Sequence, residues 1–446
     1  MRAFYIAAAL AAAVSSGAFA SARSDCDQAQ DRDRAIAGCT LIIDGKERGN
    51  AATAHYNRGV AYYYKGDYAA AVADYDKSLE LKPDNRFAYN NRGAAYRRQG
   101  DCARAIADFT KAIELFPRYA KAFENRAGCY AAQGDWDLAI SDYNGILEVS
   151  PTGAKTHYDR GNAYYHKGDM DKALADYATA IEQKPDYAFA YYNRGLIYQQ
   201  KGDYKRAIAE YNKAIKLKPD YARAYIGRGS VYSEQGDTKR ALADYGKAIK
   251  LKPDDATAHG ARAFLLFRQG KLKEARAGAG KAVELAPGNA DHLDTRGHIM
   301  LALGDSKSAV EDFTEALRLK PDLASALLGR ALAYERQGHR EEAMADYRQL
   351  AEMTPGTRGD KAAQDQARTR LQMLSDPKTP LAGPRVSGPG GRPSRPPEAG
   401  PYSPDSRGGA YSSAPPGEQS PPAPYGGSGE QGDGPRRAPP GEADAQ

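Results

Sequence analysis

An excess of one charge is missing from this chain: 63 Lys and Arg stand against 57 Asp and Glu in 446 residues, a net +6. Without a basic stripe or tail, that balance excludes a dedicated nucleic-acid binder. Long hydrophobic runs are also scarce, and a mean hydropathy of −0.69 excludes a polytopic membrane protein. The sequence has no Gly-rich phosphate loop, no HExxH and no GxSxG, so no motif speaks for catalysis or for a bound cofactor. Cysteine is sparse, at four residues. With no CxxC pair and no His at ligand spacing from any Cys, a metal site is not expected.

Tyrosine is plentiful: 31 Tyr against 10 Phe and one Trp. The first twenty residues carry Arg2, an apolar run from Ile6 to Val14, and Ala18-Phe19-Ala20. Small residues at the first and third of those last positions suit a signal peptidase, so cleavage is expected after Ala20. An uncleaved anchor is the alternative, but the run is short and Ser15, Ser16 and Gly17 follow it. Export, to a periplasm or the outside, with no membrane insertion after cleavage, is the expectation. Residues 378–446 are dense in Pro and Gly and almost free of aliphatics, the composition of a disordered spacer.

The middle of the chain repeats. Gly66-Asp67 recurs every 34 residues as Gly100-Asp101, Gly134-Asp135, Gly168-Asp169, Gly202-Asp203 and Gly236-Asp237, and the frame gives nine gapless copies over 52–357. Position 20 of each copy is Ala, position 32 is Pro and position 8 is Gly or Ala. Apolar residues fall at i, i+3, i+4 and i+7 on both sides of each Gly-Asp pair, which predicts two amphipathic helices joined by a turn. Small residues at positions 8 and 20 let the helices approach, and the Pro ends the second helix. One hairpin cannot bury its own apolar face, so neighbours must stack into a solenoid. Residues 31–43 echo the second helix of a repeat and predict an N-terminal half-repeat cap over 21–51. In 358–377, Ala363, Ala367, Leu371 and Leu374 form the stripe of a C-terminal capping helix.

With its small-residue, Tyr and Pro positions, this array resembles the tetratricopeptide repeat family, in particular exported bacterial members whose repeats read Y-N-R-G-x-A-Y. The resemblance implies an all-α, right-handed superhelical solenoid and a non-enzymatic protein-interaction scaffold. It also implies that positions 2, 5, 9, 12 and 13 line a concave face. Those positions hold Tyr56, Tyr63, Tyr64, Phe87, Arg97, Arg98, Lys121, Lys155, Tyr158, Tyr165, Phe189 and Tyr192. A Tyr-rich, mildly basic groove of this kind suits an extended or helical protein segment carrying acids. A Tyr-lined face could equally stack on sugar rings, so a glycan binder of an export or assembly system is the alternative. Asn91 and Asn193 match part of the family's carboxylate clamp, but no three consecutive copies hold the full set.

Four cysteines in an exported chain favour disulfides. Cys26 and Cys39 flank the proposed cap helix and most simply pair. Cys102 starts the second helix of copy two and Cys129 lies near the end of the first helix of copy three, side by side in stacked hairpins. They form either a bridge or two buried thiols.

Position 7 is Arg in all nine copies, from Arg58 to Arg330. It could form a basic ladder for acidic ligands. However, position 23 is Asp or Glu in eight copies, and antiparallel helices bring positions 7 and 23 together, which predicts intra-repeat pairs. The exception is copy seven, where Gly278 replaces the acid, Leu266 the Tyr of position 11 and Ala279 the aromatic of position 24. Its Ala277-Gly278-Ala279-Gly280 run predicts a weak second helix.

Overall fold

The computed structural model describes residues 21–27, 31–45, 51–354, 358–376 and 381. The proposed signal segment and almost all of the Pro/Gly-rich tail lie outside them. Every regular element among the described residues is an α-helix. The chain divides into two compact units within one helix, the first reaching Asp176 and the second starting at Tyr177.

The first unit opens with α1 (residues 21–26) and α2 (Arg32–Asp44). It continues as hairpins α3 (Ala51–Lys65) with α4 (Tyr68–Leu81), α5 (Arg86–Arg98) with α6 (Cys102–Leu115), and α7 (Ala120–Gln133) with α8 (Trp136–Val149). It then runs through α9 (Ala154–Lys167) into the start of α10 (Met170–Gln183). A disulfide between Cys26 and Cys39 ties α1 to α2. Gly38 permits this contact, since a Cβ there would stand 2.7 Å from the Ala22 carbonyl.

The second unit holds the rest of α10 and the hairpins α11 (Ala188–Gln200) with α12 (Tyr204–Leu217), and α13 (Ala222–Glu234) with α14 (Thr238–Leu251). The hairpins α15 (Ala256–Arg268) with α16 (Leu272–Leu285), α17 (Ala290–Leu303) with α18 (Ser306–Leu319), and α19 (Ala324–Gln337) with α20 (Arg340–Glu352) follow. The final helix, α21 (Arg358–Leu374), lays Ala363, Ala367 and Leu374 on the last hairpin. Its Arg370 bonds both oxygens of the buried Glu335.

Seven of the nine hairpin turns carry a Gly-Asp pair, and where its Asp caps the next helix the turn is made in two steps. In copy one, Gly66 takes φ +83°, and the Gly66 and Asp67 amides donate to the Tyr63 and Tyr62 carbonyls. Together these close the end of α3. The Asp67 side chain then accepts from the Ala70 amide and caps α4, replacing one of the bonds a helix start lacks. The same cap recurs at Asp101, Asp203, Asp237 and Asp305.

Close approach of paired helices follows from two small positions. The Ala at position 20 has no exposed surface in any of the nine copies. At position 8, the aromatic ring of position 24 occupies the place of a side chain: a Cβ on Gly93 would meet Phe109 at 2.8 Å, and one on Gly297 would meet Phe313 at 2.7 Å. The rings thereby become the core. Tyr75, Phe109, Tyr211, Phe313 and Tyr347 have no exposed surface, and truncating such a residue costs ~3–5 kcal/mol.

Candidate functional site

Eight of the nine position 7 arginines are held inside the hairpins. Arg126 donates from Nε and Nη2 to the two Asp142 oxygens at 3.0 and 2.7 Å. Arg58–Asp74, Arg92–Asp108, Arg160–Asp176, Arg228–Asp244, Arg296–Asp312 and Arg330–Asp346 repeat that fork. Copy five differs. Glu210 reaches Arg194 through one bond of 2.8 Å, leaving Arg194 Nε and Glu210 Oε2 buried without partners.

The sequence pattern did not reveal a third partner. The free Nη1 of several arginines reaches position 25 of the preceding copy: Arg92 to Asp76, Arg126 to Thr110, Arg160 to Asn144, Arg228 to Asn212 and Arg330 to Thr314. Arg58 finds Thr40 of α2 in the same way. Eight of the nine arginines thus join their own hairpins and, where position 25 offers an acceptor, the one before; Arg262, opposite Gly278, is the exception. These guanidinium groups are not a free ladder for ligands.

The first helices of consecutive repeats lie side by side in the first unit, and their shared face carries most of the expected binding residues. Three of the twelve leave that lining, because Tyr56, Tyr158 and Tyr192 are buried. Tyr56 packs tilted against Tyr75 with ring centroids 6.0 Å apart, and its hydroxyl accepts from Asn91 Nδ2 at 2.9 Å. Tyr192, in the second unit, packs on Tyr211 and Tyr221. A ring bonded at its polar tip and covered on its faces serves helix packing.

Lys121 and Lys155 are on the face but already neutralised. Lys155 bonds Glu124 at 2.7 Å and Asp159 at 2.8 Å, and Lys121 bonds Glu124 at 2.9 Å. Burial disfavours the charged form of Glu124, yet Lys155 and Lys121 outweigh it and hold its pKa below the usual range. Burial wins at Asp159, whose pKa is raised despite Lys155. Beside this cluster runs a chain of amides, Asn125 to Asn90 to Asn91 to Tyr56, at 2.9–3.1 Å. It links α7, α5 and α3.

What remains open is the end of α3 and α5. There Tyr63, Tyr64 and Arg97 are half-buried and Arg98 is exposed, while the half-buried Phe87 lies at the other end of α5, against Tyr119. Tyr63 meets Tyr64 edge-on at 5.8 Å, and Arg98 Nε lies 3.4 Å from the Tyr63 hydroxyl. Arg97 packs its guanidinium over Gly128, where a Cβ would come within 3.0 Å of it. Tyr165 is half-buried beside His166 on α9, and Phe189 packs on Tyr221 in the second unit.

Cys26 and Cys39 are bonded. The bridge expected between Cys102 and Cys129 is not formed: both are thiols, with sulfurs 2.8 Å apart. That separation exceeds a covalent S–S length of about 2.05 Å. Among the described residues, no group of three or more His, Cys, Asp or Glu is arranged to hold a metal ion. Nor is any helix there long and apolar enough to cross a membrane.

The chain is similar to several solved structures. MamA is 28% identical, over 36% of this chain and 94% of that one, with a TM-score of 0.35. YrrB, described as a TPR protein with an unusual peptide-binding site, is 26% identical over 42% of this chain and 95% of its own, with a TM-score of 0.35. A tetratricopeptide repeat protein from Parabacteroides merdae is 22% identical over 64% of this chain and 99% of its own, with a TM-score of 0.37. No curated protein matches. Family profiles described as "TPR repeat" match residues 161–202, 197–236 and 229–270, and profiles described as "Tetratricopeptide repeat" match 52–85, 90–154 and 295–357. Those matches cover more than half of the sequence and fall on the hairpins described above, so the chain belongs to the tetratricopeptide repeat family.

Proposed function

We propose that this protein is an exported, non-catalytic scaffold that holds an acid-bearing segment of a partner protein against the first-helix face of its first unit. The repeat family supports the general role, a protein–protein interaction scaffold. The observation that carries the finer reading is the cluster at the ends of α3 and α5. There Arg97 has no ion pair among the described residues, and Arg98 has only the Tyr63 hydroxyl, while Tyr63 and Tyr64 lie beside them half-exposed. Arg and Tyr together make frequent interface anchors. The two lysines of the same face are spent on Glu124 and Asp159 and contribute little free charge. The signal-like leader and the Cys26–Cys39 disulfide support export to a periplasm or the outside.

The test is affinity capture from cell-envelope extract by the mature chain, run beside an R97A/R98A variant, with competition by an acidic peptide and by oligosaccharides. Proteins that bind the intact chain, are displaced by the acidic peptide and vanish on the variant support the reading. Identical capture by both chains, or displacement by oligosaccharide alone, sinks it and favours a glycan ligand.

A further inference from the structure

The other opening for an external acid lies in the second unit, where the arginine ladder is left incomplete. Arg262 of α15 is half-buried and, alone among the nine, has no hydrogen bond or ion pair among the described residues. Both places from which its siblings are bonded are glycine: Gly278 on α16, the position of the acid, and Gly246 on α14, the position of the third partner. A Cβ on Gly246 would meet nothing within 4 Å, so that side opens to solvent, whereas one on Gly278 would stand 3.2 Å from the Ala263 Cβ. Lys247, next to Gly246, is exposed, and the residue three places on is Lys250. In copies one, two and seven the matching lysine is paired with a Glu at that spacing.

The geometry points to Arg262 as the anchor for a carboxylate supplied by another protein, an Asp or Glu side chain on a partner segment. Seven copies show what this guanidinium binds when the acid is present: a carboxylate gripped by Nε and Nη2 at 2.5 to 3.0 Å. In copy seven the donors remain and the acceptor has been removed. A half-buried arginine has lost part of its hydration, so a fork-shaped acceptor from outside regains bonds that water satisfies less well. The unpaired Lys247 and Lys250 add charge of the same sign, which favours an acidic segment over a neutral one. This inference shares with the proposed function only the premise that the ligand is a protein. Its site is separate from Arg97 and Arg98.

A fluorescein-labelled hexaglutamate peptide is the probe, titrated by anisotropy into the full mature chain carrying R97A/R98A, so that binding at the first-helix face is already removed. Three further changes are added one at a time. R262Q takes away the fork and should weaken the probe at least about tenfold, as loss of a charge-assisted pair does. Gly278→Asp supplies the acid from within and should weaken it as much. Gly278→Ala improves the helix without adding a carboxylate and should leave probe binding unchanged. Copies three and nine already combine Ala at position 8 with Asp at position 23, as Ala127 with Asp142 and Ala331 with Asp346, so Gly278→Asp has a precedent beside Ala263. Equal binding by the R262Q, Gly278→Asp and parent chains overturns the inference, as does an absence of probe binding to the parent. Loss of binding with R97A/R98A alone, and no further change at Arg262, supports the proposed function and refutes this one.

Discussion

Replacing Glu210 by Asp should make the protein more stable, although it shortens a buried side chain. Glu210 and Arg194 meet through one bond of 2.8 Å, and Arg194 Nε and Glu210 Oε2 are buried without partners. Burial keeps the Glu210 pKa raised even beside Arg194, as expected of a carboxylate only partly satisfied. The seven copies with Asp at this place achieve the two-bond fork, as Arg228 does with Asp244 at 2.8 and 2.7 Å. Satisfying a buried polar group recovers ~1–3 kcal/mol. Against this stand ~0.8 kcal/mol for one lost methylene and a few tenths for the weaker helix preference of Asp. The net expectation is a gain of about 1 kcal/mol, or a melting temperature higher by roughly 1–2 °C in a chain this long. Urea and thermal unfolding followed by circular dichroism would measure it, with the same substitution made in an Arg194→Met background. A loss of stability in the parent, or an equal gain in the background without the arginine, refutes the assignment of the cost to the missing bond.

Three other outcomes follow from the structure. His292 is 2% exposed, and burial holds its pKa down to about 4. Because the unfolded chain takes up that proton near pH 6.5, this contribution is intact above pH 6.5. It is lost as the pH falls toward 4, by up to ~3 kcal/mol, and unfolding curves at pH 7 and pH 4.5 should converge in His292→Gln. In copy seven, Lys271 stands at the N-cap of α16 without a side-chain cap bond, and Gly278 and Gly280 lie within the helix. Amide exchange should therefore be faster in α16 than in α14 or α18, and equal rates would dismiss the weakness. Mild oxidation should join Cys102 and Cys129, whose sulfurs are 2.8 Å apart, and raise the melting temperature. Thiols still open to alkylation after such treatment would count against it.

The hairpins were legible because their signals are local and repeated. A left-handed Gly followed by a capping Asp is turn chemistry that needs no tertiary context, and positions 8 and 20 vary little. The pairing of positions 7 and 23 was legible for the same reason, since both recur and have opposite charge. The third bond was not: Asp76, Thr110, Asn144 and Asn212 share only an acceptor oxygen, and residue type conceals that. The binding face was read less well than the fold. Tyrosine is equally suited to a ligand and to a packed interface, and nothing local distinguishes Tyr56, sealed by Asn91, from Tyr63, which stays partly open. The charges of Lys121 and Lys155 looked available because their acids, Glu124 and Asp159, lie partly on neighbouring helices or in the next turn.

The bonds from position 7 to position 25 also set how far a disturbance travels. In a linear array, folding is governed by the stability of each unit and by the strength of each junction. The arginine supplies part of the junction where position 25 has an acceptor. Around copy seven it supplies none on either side, because Gly246 and Gly280 stand where Arg262 and Arg296 would reach back. Within the second unit, then, cooperativity should be interrupted at that copy. A chain shortened from its C-terminal end would melt with copies five and six nearly unchanged, and strain introduced on one side of copy seven would be absorbed there rather than passed along.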